Sequence, residues 1–337
     1  MDPRRRPEGA AGSGALKVLW PLEPGVRRFD VVGLGENSLD RLVRVARWPE
    51  PGGKQEWLDF SERPGGQMAS ALVGCARLGL RAAYLGAVGS DPEADRVLEP
   101  LAREGIDLSA VQRVQGARTR AAMILVRTSD GERSVLAQPT SELILRAPDL
   151  DRRSIEAASL LAVDLSDPDA SLWAAGIARD AGIPVVLDAD RVVEGTGRLL
   201  GRVDFPAVSE AFAKEWAGVG SAREGLDKLA SDGARLAVIT CGDRGAVAAE
   251  GPRRLACAAF PVDVRDSTGA GDAFHAGLIW ALFQRLPGAL ALRSACAVAG
   301  LSCTAVGAQD GLPDEKALAE FMAMHPVITS AEEGNDV

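Results

Sequence analysis

Apolar runs of strand length alternate with stretches of helical periodicity along the chain, and this alternation constrains the fold most. The apolar runs lie at 29–35, 82–89, 121–127, 159–165, 183–190, 205–209 and 235–240. The helical patterns lie at 66–79, 92–104, 168–181, 221–232, 272–285 and 289–305. Strands without a polar side must be covered on both faces, which is typical of parallel sheets with crossover helices. The pattern predicts an α/β fold with a parallel sheet covered on both faces.

Two segments, 41–63 and 117–138, depart from this alternation. They are more polar, alternate apolar and polar residues, and contain the turn signals "PEPGG" and "SDGE". This pattern predicts strands with one exposed face, outside the main sheet. Such strands could cover a substrate or simply extend the edge of the sheet, and the pattern leaves both interpretations open.

The composition excludes several classes of protein. A net charge of −9 argues against a nucleic-acid partner, which normally needs a basic face. No run of 18 apolar residues occurs, so we expect no membrane span. The five cysteines are scattered and lack metal-ligand spacing, which indicates free thiols in a cytoplasmic protein. Residues 1–28 and 326–337 are expected to be flexible extensions of one domain at 29–325.

The segment "DSTGAGDAFHAGL", 266–278, has the features of an anion-binding helix start. Gly269, Ala270 and Gly271 would expose backbone N–H groups where the helix begins, and that end attracts phosphate oxygens. Asp272 follows directly. It could be a simple stabilising charge in the first turn, or the base that takes a proton from an attacking hydroxyl. A second glycine segment, "GLGENS" at 33–38, matches the dinucleotide-binding fingerprint only in part, because Ser38 replaces the third glycine.

Three motifs together resemble the PfkB (ribokinase-like) carbohydrate kinases. These are "DSTGAGDAFHAG" (266–277), "GGQMASALVGCARLG" (65–79) and "VITCGDRGA" (238–246), and the resemblance covers about 29–325. It implies a three-layer α/β/α sandwich with a small β-sheet lid that often forms a homodimer. It also implies that ATP and Mg²⁺ are used to phosphorylate a small sugar.

The resemblance assigns roles to individual residues. Asp272 would be the catalytic base, and Gly269, Ala270 and Gly271 the anion hole. The sugar would contact Asp40, the pair Gly65 and Gly66, and Ser70, where ribokinases have asparagine. The nucleotide would lie against Ser209, Thr240, Gly242 and Gly245. Family members also have a monovalent-cation loop, which can hold K⁺ and aligns with Asp266, Thr268, Ser302, Ala305 and Gly307.

Departures from the family pattern bear on the substrate and the metal. The N-x-x-E motif begins at Ser209 and has Phe212 in place of its acid. Serine in place of asparagine at the first position of this motif resembles the pattern of the ketohexokinases and sulfofructose kinases, a branch that acts on ketoses. Lys54 could meet an anionic group of the substrate, or be a solvated lysine. Asp188 and Asp190 end a strand where ligands gather, so they are Mg²⁺ candidates as well as loop caps.

The sequence therefore predicts an ATP-dependent kinase for a ketose, a related sugar or a sugar acid. A non-catalytic sugar or nucleotide sensor on the same fold is the first alternative. A dinucleotide-dependent oxidoreductase, suggested by "GLGENS", is the second. His275, one turn into an apolar helix, is expected to be a core histidine rather than a catalyst.

Overall fold

The computed structural model describes residues 27–138, 140 and 142–325. The predicted C-terminal extension, 326–337, lies outside the described residues, as does nearly all of the N-terminal one, 1–28. No helix within the described ranges has both the length and the hydropathy needed to cross a bilayer.

Within the described residues, a central sheet has eight strands. Numbered in chain order with all other strands, they are β1 (Phe29–Leu34), β4 (Ala82–Leu85), β9 (Ala158–Val163), β10 (Val185–Ala189), β11 (Phe205–Ser209), β12 (Ala237–Thr240), β13 (Ala246–Glu250) and β14 (Arg253–Cys257). Their order in space is β14-β13-β12-β11-β10-β9-β1-β4. The six strands from β12 to β4 are parallel, and β13 and β14 add an antiparallel edge.

Helices cover both faces of this sheet. They are α1 (Gln67–Arg77), α2 (Pro92–Arg103), α3 (Arg152–Glu156), α4 (Pro168–Asp180), α5 (Thr196–Leu200), α6 (Glu210–Ala217), α7 (Ala222–Ser231), α8 (Ala270–Phe283), α9 (Gly288–Ser302) and α10 (Glu315–Met324). One core lies between the sheet and α1, α2, α8, α9 and α10, and a second lies between the sheet and α3 to α7. Adjacent strand residues enter opposite cores, as Leu160 and Leu161 do. The predicted three-layer α/β/α fold is confirmed.

A separate four-stranded sheet forms the lid. It contains β2 (Ser38–Val45), β3 (Asp59–Gly65), β7 (Ala121–Arg127) and β8 (Arg133–Ala137), in the order β3-β2-β7-β8. A short pair, β5 (Ala87–Gly89) and β6 (Gln112–Val114), lies apart from it. Leu42, Ile124 and Val126 form a small core on one face of the lid sheet. The two polar segments thus form strands outside the main sheet, as predicted, and the apolar run at 121–127 belongs to the lid sheet.

Ser209 ends β11, as the apolar run at 205–209 predicts. Its Oγ accepts a hydrogen bond from Phe212 N at 3.1 Å and caps α6. Glu210 is therefore the first residue of that helix and does not continue the strand.

Candidate active site

The first turn of α8 contains the residues predicted to form an anion hole. Gly269 precedes the helix with φ 77°, and a Cβ there would lie 2.6 Å from Ala308 Cα. Gly271 is exposed, and a Cβ there would meet nothing within 4 Å. The two glycines therefore have different structural roles. Gly269 allows the left-handed turn and close packing, whereas Gly271 leaves open space at the N-terminus of the helix.

Asp272 is the third residue of α8 and lies at the border of this open space, partly exposed. Burial among its neighbours raises its pKa well above the usual range, and the negative charge of Asp188 raises it further. The charges of His275 and Arg133 act in the opposite direction. A carboxylate with a raised pKa is a better proton acceptor than an ordinary aspartate, which suits a general base.

Asp40 approaches the same space from the lid strand β2. Its carboxylate is buried and accepts a hydrogen bond from Ser38 Oγ at 2.8 Å. Burial raises its pKa to about 6. A Cβ at Gly65, on the neighbouring strand, would lie 2.0 Å from Asp40 Oδ2, so only glycine leaves room for this acid. Gly66, with φ 92°, then turns the chain into α1.

More acids stand along the carboxyl edge of the parallel strands. Asp164, after β9, accepts hydrogen bonds from Glu36 N at 2.7 Å and Ser166 N at 2.9 Å. Burial, with the charge of Asp164, raises the pKa of Glu36 to about 7. Burial likewise raises the pKa of Asp188 well above its usual value. The site is therefore rich in carboxyl groups, and parallel sheets bind ligands at this edge.

His275 is buried one turn after Gly271 in α8. Its Nδ1 lies 2.8 Å from Gly271 O and 3.4 Å from Asp188 Oδ2, and its Nε2 lies 2.9 Å from Ala207 O. Both ring nitrogens have polar partners inside the core, so the geometry supports the interpretation of a core histidine. The ring ties α8 to β11.

The residues expected at the nucleotide lie at the ends of β11 and β12. Thr240 Oγ1 lies 3.4 Å from Val208 O, and Ser209 caps α6. Gly242 has φ 62°, and a Cβ there would meet nothing within 4 Å. At Gly245, with φ 94°, a Cβ would lie 2.0 Å from Cys257 O. Gly242 therefore presents open backbone, whereas Gly245 is required for packing.

The magnesium candidates differ in availability. Asp190 is exposed, and Asp188 is buried beside His275. Glu210 Oε1 lies 2.8 Å from Lys214 Nζ, and Arg244 pairs with the other oxygen. Phe212 is fully buried and apolar. Among these positions, Asp188 and Asp190 retain the carboxylates that Mg²⁺ prefers.

The residues predicted to bind a monovalent cation lie in two hydrogen-bonded groups. Asp266 is fully buried, and its two oxygens accept hydrogen bonds from Thr268 N and Gly307 N, both at 2.8 Å. Thr268 Oγ1 is buried and has no hydrogen-bond partner within the described residues. Ser302 Oγ instead donates to Ala299 O at 2.8 Å, and Ala305 N lies 3.4 Å from Ser302 O. The unpartnered hydroxyl fits a cation ligand.

Two predicted sugar contacts, Lys54 and Ser70, differ in exposure. Lys54 is exposed in the loop between β2 and β3. Ser70 is fully buried in α1, where its Oγ lies 3.4 Å from Gln309 Nε2. Sequence reasoning in turn missed Glu36, Asp164 and Arg133. The first two follow strands, and the rule that ligands gather at the carboxyl ends of strands could have found them; no pattern indicates Arg133.

The "GLGENS" segment does not form a dinucleotide site. A Cβ at Gly33 would lie 2.7 Å from Leu72 Cδ1, and one at Gly35 would lie 2.1 Å from Asp164 Oδ2. The chain then enters β2 at Ser38 rather than a helix, so this turn has no helix N-terminus to bind a pyrophosphate.

Comparisons with known proteins agree with this geometry. Residues 29–315 match the pfkB family carbohydrate kinase domain. The ribokinase of Haemophilus influenzae is 29% identical, covering 86% of this chain and 97% of that protein. Fructokinase-1 of rice (Oryza sativa subsp. japonica) is 29% identical, covering 87% and 97%. The crystal structure of a putative ribokinase from Agrobacterium tumefaciens superposes with a TM-score of 0.81 at 27% identity, covering 88% and 98%. The chain belongs to the pfkB family of carbohydrate kinases.

Proposed function

We propose that this carbohydrate kinase transfers the γ-phosphoryl group of ATP to a hydroxyl of a neutral sugar, with Asp272 as general base. One observation carries the proposal: Asp272 lies in the first turn of α8, beside the open space at Gly271, and the charge of Asp40 is near enough to raise its pKa. A proton acceptor, an anion-binding helix end and a hydroxyl-binding acid thus meet at one place.

The residues would act in sequence. Asp40 accepts hydrogen bonds from sugar hydroxyls and orients the one that attacks. Asp272 takes its proton as the oxygen bonds to the γ-phosphorus, and ADP leaves. Backbone N–H groups of residues 270–272 stabilise the charge on the transferring group, because the first bond within the helix comes only from Ala273 N to Gly269 O, at 2.9 Å.

The charge of the site favours a neutral sugar over a sugar acid. Asp40, Asp272, Asp188, Asp164 and Glu36 all contribute carboxyl groups whose pKa burial raises. A substrate carboxylate would add one more negative charge to a partly desolvated site. Hydroxyl groups, in contrast, donate to carboxylates. A ketose therefore suits the site better, and membership of the ketohexokinase and sulfofructose kinase branch stays a prediction.

Metal ions would assist from two sides. Asp188 and Asp190 would hold Mg²⁺, which offsets phosphate charge during transfer. The loop cluster of Asp266, Thr268 and Gly307 would hold a monovalent cation such as K⁺, with the unpartnered Thr268 hydroxyl as one ligand.

Exposed apolar side chains on the lid sheet support the proposal of a homodimer. On the outer face of this sheet Phe60, Met123 and Leu136 are 48%, 38% and 60% exposed, and Met123 pairs directly with Leu136 across β7 and β8. Contiguous exposed apolar side chains are typical of interaction surfaces. We expect Leu136→Glu to shift the molar mass measured by light scattering towards the monomer. The exposed Leu290→Glu, on α9, is the matched control, and an unchanged mass in Leu136→Glu would exclude this interface.

Turnover separates the proposed function from its alternatives. ADP production should depend on ATP, Mg²⁺ and a sugar, and ketoses should outperform sugar acids in a panel that also contains nucleosides. Sugar or nucleotide binding by calorimetry without any turnover would identify a sensor instead. A cytoplasmic location stays a prediction.

A further inference from the structure

The lid is hydrogen-bonded to the anion-hole loop at Ser267. Ser267 N and Oγ both donate to Gly131 O, at 3.1 and 2.9 Å, in the turn between β7 and β8. Arg133 Nη1, on β8, donates to Ser267 O at 2.8 Å and to Ser267 Oγ at 3.1 Å. The serine hydroxyl therefore donates to one residue of the lid and accepts from another, so both of its hydrogen-bonding roles are used.

The turn also packs tightly on this loop. Gly131 has φ 69°, and a Cβ there would lie 2.6 Å from Val264 Cγ1 and 3.2 Å from Asp266 N. The backbone of the lid turn thus lies directly against the stretch of chain that leads into α8. A shift of the lid would have to break these contacts.

The carbonyl of Ser267 is shared by two donors. Ala270 N, at the first position of α8, lies 3.3 Å from it, whereas Arg133 Nη1 lies at 2.8 Å. A charge-assisted hydrogen bond is stronger than one between neutral groups, and the Ala270 bond is long. By engaging this carbonyl, Arg133 leaves the Ala270 N–H more available to an oxygen of the transferring phosphoryl group.

Arg133 lies near both acids of the site. Its positive charge acts to lower the pKa of Asp272 and that of Asp40, against the larger effect of burial. One guanidinium therefore links the lid, the base, the sugar-binding acid and the anion hole.

We propose that Arg133 and Ser267 form a latch through which the closed lid positions the anion hole, with Arg133 as a positioning residue for phosphoryl transfer. The inference rests on the proposed function. A lid that closes over the sugar completes the latch and so sets the Ala270 N–H only when an acceptor is covered. This arrangement limits transfer to water, because the anion hole is fully formed only in the closed state.

Steady-state kinetics of Arg133→Gln, Ser267→Ala and the double variant tests the latch, with Arg127→Gln as the matched control. Arg127 lies on the same hairpin and loses the same charge, but it binds Asp130 at 2.6 Å and makes no described contact with Ser267. We expect Arg133→Gln to lower kcat by about 10- to 100-fold with both KM values within about 3-fold, since the charge-assisted hydrogen bonds to Ser267 are lost. Arg133→Lys should recover part of the loss.

The double variant tests whether Arg133 and Ser267 act together. If Arg133 acts through Ser267, the two losses overlap, so kcat of the double variant should be clearly higher than the value obtained by multiplying the two single losses. A multiplicative loss would overturn the latch. So would a higher KM for ATP at unchanged kcat in Arg133→Gln, because the arginine would then contact the nucleotide directly.

Hydrogen exchange separates this inference from the proposed function. If the parent phosphorylates no sugar in the panel, the function fails on its own. The amide of Ser267, which donates to Gly131 O in the lid turn, should still exchange faster in Arg133→Gln than in the parent and in Arg127→Gln. Equal exchange in all three proteins would overturn the latch, whatever the activity.

Discussion

Replacement of Asp272 by asparagine tests the base and makes opposite predictions for activity and stability. The asparagine side chain would keep the shape of the aspartate in the first turn of α8 but could not accept the proton of the attacking hydroxyl. General-base catalysis contributes about 10²- to 10⁴-fold, so we expect kcat to fall by that factor, or about 3–5 kcal/mol in the activation barrier. The KM for ATP should change little.

Stability should move the other way at neutral pH. Folding raises the pKa of Asp272 above that of the unfolded chain, so the folded state binds the proton more tightly. The stability that this acid contributes at low pH is therefore lost as the pH rises from the unfolded pKa to the folded one. Above both values its ionised form opposes folding. Asp272→Asn should have a Tm at least as high as the parent at pH 8, with the advantage vanishing at low pH.

Glu224→Gln is the matched control. Glu224 is also the third residue of its helix, α7, where it accepts a hydrogen bond from Ser221 Oγ, but it is exposed and far along the chain from the site motifs. If Asp272 were only a stabilising charge at a helix start, both variants would lose stability and keep turnover. Near-parental kcat in Asp272→Asn, or a lower Tm at pH 8, would refute the reasoning.

Three further outcomes follow from the same geometry. Gly269→Ala should destabilise the fold by about 1–2 kcal/mol or more, because the Gly269 backbone is left-handed and a Cβ there would meet Ala308. Gly271→Ala should instead keep the parental Tm and lower kcat. Denaturant unfolding and steady-state kinetics check both variants, and equal losses of stability would contradict these different roles. Asp188→Ala should weaken the apparent Mg²⁺ affinity and leave sugar binding intact; coinciding Mg²⁺ titrations of variant and parent at saturating sugar would exclude it as a ligand. The sugar KM of the parent should rise as the pH falls through about 6, where Asp40 takes up a proton and becomes a weaker hydrogen-bond acceptor. In Asp40→Asn the sugar KM should be high and independent of pH; a parallel pH profile in parent and variant would assign the effect to another group.

Local patterns predicted most of the fold. The helix expected at 92–104 runs from Pro92 to Arg103, and the one expected at 168–181 runs from Pro168 to Asp180, because proline, acids and apolar spacing mark their bounds. The short helix α6 escaped detection, because its start depends on the Ser209 hydroxyl reaching Phe212 N and not on periodicity. Cap geometry of this kind is visible only in three dimensions.

The local geometry of the candidate site was predictable where one motif holds both a backbone shape and a side chain, as at the helix start formed by 269–272. It was not predictable where the function of a residue depends on a neighbour distant in sequence. Gly65 is needed because the Asp40 carboxylate fills the space where its Cβ would be, and Arg133 is proposed to matter because it donates to Ser267. The local sequence around Gly65 or Arg133 does not indicate which distant residue it contacts.

The acids of the site explain why the lid and the nucleotide should act together. Burial raises the pKa of Asp40, Asp188 and Asp272, so each ionised carboxylate at neutral pH opposes the folded state. A base and a hydroxyl acceptor must nevertheless be ionised to work. The positive charge of Arg133 reduces this cost on the lid side, and a metal-bound nucleotide would reduce it on the other. With the lid in contact with Ser267, as in this structure, these charges lie together, so the acids should be most readily ionised in this arrangement.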